Sequence, residues 1–363
     1  MANTFLTPKI IANEALMVLE SQLTMANLVH RDYSQEFVKV GDTITVRKPA
    51  KFVAKNFVGT THGQNITEGS VDVKMDRFRD VTVNVTSKEL TLDIKDFSKQ
   101  VVTPALSAIA QAIDMDLLAV GVEKAGKTAT VSSTPKLDDI AGVGKALDMS
   151  KAPLQNRRLV LPAEIRYKYN TLDNFAKQCY AGDSRALRDA EIGKVYTCDT
   201  FASENCPHSA AVTPGTVTAY KVAGTKDTQE FTVSGGNPAT GKISAGDQLI
   251  VGGYLYTVTE DLTLTSGGGT LKVDQNLPSD IEATDVKVIS KAHALGFHRN
   301  GIALVTRQLE LPMGASKAHI ASANGLAVRV VMDYDSTSKT DSISFDIIYG
   351  IKELDTSLLV DFS

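Results

Sequence analysis

The chain has 363 residues, of which 43% are hydrophobic and 22% charged, and its formal net charge is −4. A chain of this length and composition buries a sizeable core, as one large domain with an insertion or as about two to three ordinary domains, which excludes a disordered polypeptide. Acidic and basic residues are spread along the whole length without a basic block, so a dedicated reader of DNA or RNA is disfavoured.

The opening segment, MANTFLTPKIIANEALMVLE, does not read as a secretory leader, because a basic start is missing and Asn13, Glu14 and Glu20 interrupt the apolar run. Thr7 and Pro8 read as a helix start, with a capping hydroxyl followed by a proline where no amide donor is needed. Ile11, Ala15, Leu19, Leu23 and Ala26 then recur at helical spacing. Residues 1–35 are thus an amphipathic arm that docks either on its own domain or on a neighbour. Residues 36–90 alternate with period two around Thr43 to Arg47, Val71 to Lys74 and Val81 to Val85, as half-buried antiparallel strands do. Between them, residues 51–69 are rich in Gly, Thr, Asn and Lys and predict a long projecting loop or hairpin, of a kind that needs outside support.

Residues 91–126 hold the strongest helix signal. Val101, Ala105, Ile109, Ala112, Ile113, Leu117 and Val120 form one stripe across 93–124, a rod of roughly 45 Å that Pro104 should kink or break. Residues 127–207 are mixed α/β: a helix through Leu137, Ile140, Ala141, Gly144 and Leu147, a buried strand over 158–161 ended by Pro162, a helix over 163–170 and a strand over 195–201. Residues 208–290 turn Thr-, Val- and Gly-rich, with turns expected at 235–237, 246–247, 252–253 and 267–269, and read as a small all-β unit inserted at an exposed loop. Residues 291–325 return to the α/β part. Residues 326–363 close the fold, with 326–331 and the alternating Ile343, Phe345, Ile347 and Tyr349 as a hairpin.

Constellations that carry chemistry are weak throughout. Gly142 to Ala146 looks like a phosphate loop, but Asp139 stands where a glycine is needed and Ala146 where a hydroxyl is needed. His30, His62, His208, His293, His298 and His319 show no metal-ligand spacing, and His298 reads as structural. Cys206 and His208 flank Pro207 without a third orienting group. Asp114 and Asp116 point to different helix faces, and Asp333, Tyr334 and Asp335 read as a solvated turn. Cys179, Cys198 and Cys206 form no CxxC pair and read as free thiols of a protein made in a reducing cytoplasm. No stretch approaches the ~18 apolar residues that cross a bilayer, so no membrane partner is expected. No catalytic residue, cofactor or metal site is expected, and the chain reads as a non-enzyme.

The order of parts carries a resemblance. PKIIANEALMVLESQLTMANLVHRDYSQEF and KVGDTITVRKP form the arm and loop, DIKDFSKQVVTPALSAIAQAIDMDLL the long helix, and RLVLPAEIRYKYN the next strand and helix. VYTCDTFASENCP leads into the insertion, AGDQLIVGGYLYTVT lies within it, and HALGFHRNGIALVTRQLELPMGA, GLAVRVVMDYD and SFDIIYGIKELD close the chain. This succession resembles the major capsid protein of tailed phages with the Hong Kong 97-type fold, and within it the P-twenty-two-type coat proteins that carry an inserted β domain.

The resemblance implies an α+β fold with an N-terminal arm, an extended β loop, a spine helix, an axial α/β domain and an inserted small all-β domain. It implies an icosahedral virion shell of hexamers and pentamers, in which arm and loop reach across neighbours. A scaffolding protein would guide a precursor shell assembled in the host cytoplasm, which expands as double-stranded DNA enters. A portal protein would occupy one vertex, and a decoration protein is a further partner. Arg47, Lys48, Lys51, Lys55, Arg77 and Arg79 are the expected intersubunit cations, with Glu36, Glu68, Asp72 and Asp76 as acidic counterparts. Each exposed pair is worth at most about 1 kcal/mol, so assembly should depend on salt. The alternatives are an encapsulin-like nanocompartment shell, another phage structural part such as a tail-tube or head-decoration protein, and, last, an enzyme.

Overall fold

The computed structural model describes residues 8–31, 43–47, 54, 56, 59, 70–86, 101–176, 192–312, 317–323, 326–337 and 340–363. The chain divides into two compact units, one made of Met1–Ala112 with Ile302–Leu354, the other of Ile113–Gly301 with Asp355–Ser363.

The first unit is built on the long strand Thr340–Glu353. Strand Arg77–Thr86 pairs antiparallel along one edge, from Thr86 opposite Thr340 to Arg77 opposite Tyr349. Leu326–Asp335 takes the other edge of its first half and Ile302–Arg307 that of its second half. Lys317–Ala323 pairs in turn with Leu326–Asp335. The hairpin expected from alternation is present, and Ile343, Phe345, Ile347 and Tyr349 all face inward and are buried.

Helix Pro8–Gln22 packs on Lys317–Ala323 and Leu326–Asp335. Ile11, Ala15 and Leu19 are buried, as are Leu23 and Ala26 beyond its end. A short helix, Met25–Leu28, follows. The His30 amide then donates to Ile302 O at 3.1 Å, and the Leu304 amide to His30 O at 3.0 Å. Of the two dockings open to the arm, residues 8–31 take the one on their own sheet, whose face is the apolar partner that the helical stripe requires.

Thr43–Arg47 and Ser70–Lys74 pair antiparallel at the base of the loop that was expected to project. Val73 and Met75 pack with Ala303, Val305 and Leu354. Gly350 permits this approach, since a Cβ there would overlap the Lys74 carbonyl oxygen. The base of the loop therefore belongs to the subunit's own core, and its crest, 48–69, lies almost entirely outside the described residues.

The described α-helix of the spine is Thr103–Glu123, 21 residues or about 31 Å, and residues 93–100 of the expected rod lie outside the described residues. Pro104 sits in the first turn of this α-helix, directly after a π turn at Val101 and Val102, so the change of helix type falls where a kink or break was expected. Leu106, Ile113, Leu117, Leu118, Ala119 and Val122 are all buried, and its second half is buried nearly all round, Asp114 and Asp116 included. By length and composition this helix is apolar enough to cross a membrane, which corrects the expectation that no stretch is, and most of it is buried inside the protein.

The second unit holds a six-stranded sheet in the order Lys127–Ala129, Leu359–Phe362, Ala294–His298, Arg157–Leu161, Cys198–Ala202, Lys194–Val195. Ile140, Val143 and Leu147 of helix Leu137–Met149 pack with Leu159, Leu161, Val360 and Phe362 of that sheet. Helix Ala163–Asn170 has the bounds read from sequence, and its Ile165 and Tyr169 join the same core. Segment 291–325 does not return as one piece: Ala294–His298 joins this sheet, whereas Ile302–Arg307 joins the long strand of the first unit.

The insertion is all β in its described strands, with Phe231, Leu249, Tyr256, Leu271 and Leu277 fully buried in a core of its own. Hairpin Gln248–Val251 with Tyr254–Thr257 turns through Gly252 (φ 59°) and Gly253 (φ 82°), the two left-handed residues that a tight two-residue turn demands. Gly235 and Gly236 are not the expected turn. They lie inside strand Glu230–Asn237, at a shift in its register with Ala219–Gly224, as a β-bulge. The two ends of the insertion meet where the His293 amide donates to Pro207 O at 2.9 Å.

Candidate functional site

Of the expected contact cations, Arg77 and Arg79 are the ones whose side chains lie among the described residues. They share the parity of Val81, Val83 and Val85 on strand Arg77–Thr86 and so turn toward the body of the protein. Arg77 is buried, and Arg79 donates to the Tyr349 hydroxyl at 3.5 Å. In the single chain Arg77 therefore offers no exposed charge to a partner, against expectation. Arg47 ends strand Thr43–Arg47, opposite Ser70. Lys48, Lys51, Lys55, Glu68 and Glu36 lie outside the described residues, while Asp72 and Asp76 are exposed at the base of the loop.

The weak chemical constellations resolve as structural. Gly144 lies in mid-helix against Tyr196. The His208 ring meets Cys206 through the Cys206 carbonyl oxygen at 2.9 Å, not through the thiol. Burial pushes the Cys206 thiol up beyond the ordinary range, and Cys198 up to about 11, so neither is a ready nucleophile. His298 is buried, accepts from the Asn300 amide at 3.2 Å, and is held below its usual value by burial and by Arg157. Asp114 and Asp116 are both buried, which helical spacing did not reveal. Among the described residues, no group of three His, Cys, Asp or Glu is placed to hold a metal.

Sequence reasoning missed the charged groups that organise the second unit. Asp361, on Leu359–Phe362, receives His293 Nδ1 at 2.7 Å and Lys287 Nζ at 2.6 Å. Lys287 also donates to Val122 O at 2.6 Å, and the Gly253 amide donates to Glu123 Oε2 at 2.5 Å. The inserted β segment is thus latched to the carbonyl end of the spine helix, where cations are favoured. Burial raises the Asp361 pKa, but the hydrogen bond and charge of His293, together with Lys287, outweigh this and hold the carboxyl below its usual range. In the first unit, Arg329 Nε and Nη2 bind buried Asp346 at 2.9 and 2.6 Å. These ties join segments that lie apart in the sequence.

No protein-family model and no curated protein matches the sequence. Solved structures do match. A chain from Mycobacterium phage Che8 aligns over 94% of this chain and 91% of its own, with 16% identity and a TM-score of 0.54. The capsid structure of cyanophage P-SCSP1u aligns over 90% and 84%, with 11% identity and a TM-score of 0.49. A virus-like particle from Pyrococcus furiosus aligns over 98% of both chains, with 9% identity and a TM-score of 0.46. The chain has the α+β Hong Kong 97-type capsid fold over nearly its whole length.

Proposed function

We propose that this chain is the shell-forming subunit of a tailed-phage head, a structural protein of the virion that assembles with copies of itself. The observation that carries this reading is the near end-to-end agreement of fold with the phage Che8 chain, across both units and in both directions of coverage. Hexamers and pentamers of the chain enclose double-stranded DNA, after a scaffolding protein has guided a precursor shell that then expands. A portal protein takes one vertex, and a decoration protein is a further partner on the outside.

Contacts between copies fall to the loop crest, where Lys48, Lys51, Lys55 and Glu68 stand, with Arg47 at its foot. Because Val73 is core, a test must spare the base strands. Deleting residues 48–69 behind a short glycine linker should leave a folded subunit that forms no shells in electron micrographs. Shells of normal yield from that variant refute the loop's role, and a wild-type chain that stays monomeric with scaffold and at every salt concentration refutes the function. Wild-type particles filled with a protein cargo, instead of nucleic acid, point to a nanocompartment shell.

A further inference from the structure

Four of the six non-glycine residues with positive φ among the described residues fall in two loops of the second unit. Lys151 (54°) and Asn156 (58°) lie in the turn after helix Leu137–Met149, and Tyr196 (44°) and Thr197 (71°) form the turn between Lys194–Val195 and Cys198–Ala202. Left-handed backbone is disfavoured for residues with a Cβ, and such strain persists only where the surroundings enforce it.

Arg157 ties the two loops to each other. Its side chain is fully buried between the loops. Nη1 donates to Thr197 Oγ1 at 3.1 Å, Nη2 to Ala152 O at 2.7 Å and Nε to Pro153 O at 2.9 Å, and Nη2 also pairs with Asp148 at 2.7 Å. One planar guanidinium thereby fastens the end of the helix, its following turn and the hairpin into one rigid piece.

What this piece presents is apolar: Met149, Leu154 and Tyr196 are 70%, 61% and 46% exposed. Around them stand charges of both signs, with exposed Lys145 and Lys151, the outer edge of Asp148, and the pair Lys194 and Asp199 at 3.4 Å. A polyanion would meet Asp148 and Asp199 as well as the lysines. A surface with an apolar centre and a rim of both signs is instead complementary to another like it.

We propose that the two loops fastened by Arg157 form a contact between copies of this chain. This inference rests on the shell reading and names residues that would carry it. Arg157 is a positioning residue: it holds Leu154 and Tyr196 in place for the partner copy, which reduces the conformational freedom lost on association.

The test is sedimentation velocity of the full-length chain over a concentration series, with thermal unfolding in parallel. Leu154→Glu is combined with Tyr196→Asn, since asparagine tolerates left-handed backbone. Val212→Glu, at a fully exposed apolar position of the insertion, is the control. The double variant should unfold at the wild-type temperature and require at least about tenfold more subunit to assemble, while the control matches wild type. Should the double variant unfold early, Met149→Lys at the exposed helix end replaces it and should show the same shift. Assembly of the stable variant at the wild-type concentration overturns the inference and leaves the shell reading standing. A wild-type chain that never assembles overturns the shell reading itself.

Discussion

His293 Nδ1 stands 2.7 Å from Asp361 Oδ1, although the two residues are 68 positions apart, and Lys287 closes on the other carboxylate oxygen at 2.6 Å. The carboxylate is nearly inaccessible to water and its two partners lie where the insertion returns to the sheet. Asp361→Ala strands a lysine and a histidine beside a vacated site. It should cost about 3 kcal/mol in urea unfolding of the unassembled subunit, as expected for one member of a buried ion pair.

The same carboxylate sets an acid limit. Its folded pKa lies below the unfolded one, so the latch stabilises the fold fully above the ordinary aspartate value of about 3.9 and is lost as pH falls through the lower folded value. The amide of Gly253, which the latch holds against Glu123, should keep its hydrogen-exchange protection down to about pH 4 and lose it below. Unchanged protection well below that pH would separate Asp361 from the latch.

The arm helix gives a contrast within a single turn. Leu19 is fully buried against its own sheet, whereas Met17 is 71% exposed. Leu19→Ala should lower the stability of the isolated subunit by about 3 kcal/mol, and Met17→Ala by no more than about 0.5 kcal/mol. Equal and negligible effects in the monomer would mean that the arm docks elsewhere.

Cys198 and Cys206 are buried free thiols, and burial raises both pKa values, that of Cys198 to about 11. At pH 8 both should escape alkylation by iodoacetamide in the native protein and react in urea, as peptide mass spectrometry would show. Rapid native labelling of Cys198 would contradict its burial.

The insertion has a core built from its own side chains, including Phe231 edge-on to Tyr256 at 5.2 Å between centroids. Residues 208–290 expressed alone should fold, giving a dispersed amide spectrum, although without the Glu123 and Val122 contacts of the latch. A collapsed spectrum would show that the rest of the chain is needed to complete that core.

Local patterns were legible in the sequence, and long-range choices were not. The helix Ala163–Asn170 and the inward parity of Ile343, Phe345, Ile347 and Tyr349 followed from periodicity, because one residue's neighbours decide them. The stripe of Ile11, Ala15 and Leu19 announced a helix with a partner but could not say whose sheet that partner was. Gly235 and Gly236 gave the same signal as a turn because bulge and turn both need glycine's freedom. The burial of Arg77 was not legible because strand parity, not charge, decides where its side chain points. The Asp361 latch left no local mark at all, since its members come together only when strands far apart in the chain become neighbours.

The single backbone bond from His293 to Pro207 has a wider meaning. The polypeptide leaves the sheet and re-enters it at one place, so the chain ends of the excursion lie side by side. Such a place is a socket: any foreign module whose termini lie side by side can be plugged into it, which makes this junction the natural place to display an antigen or an enzyme.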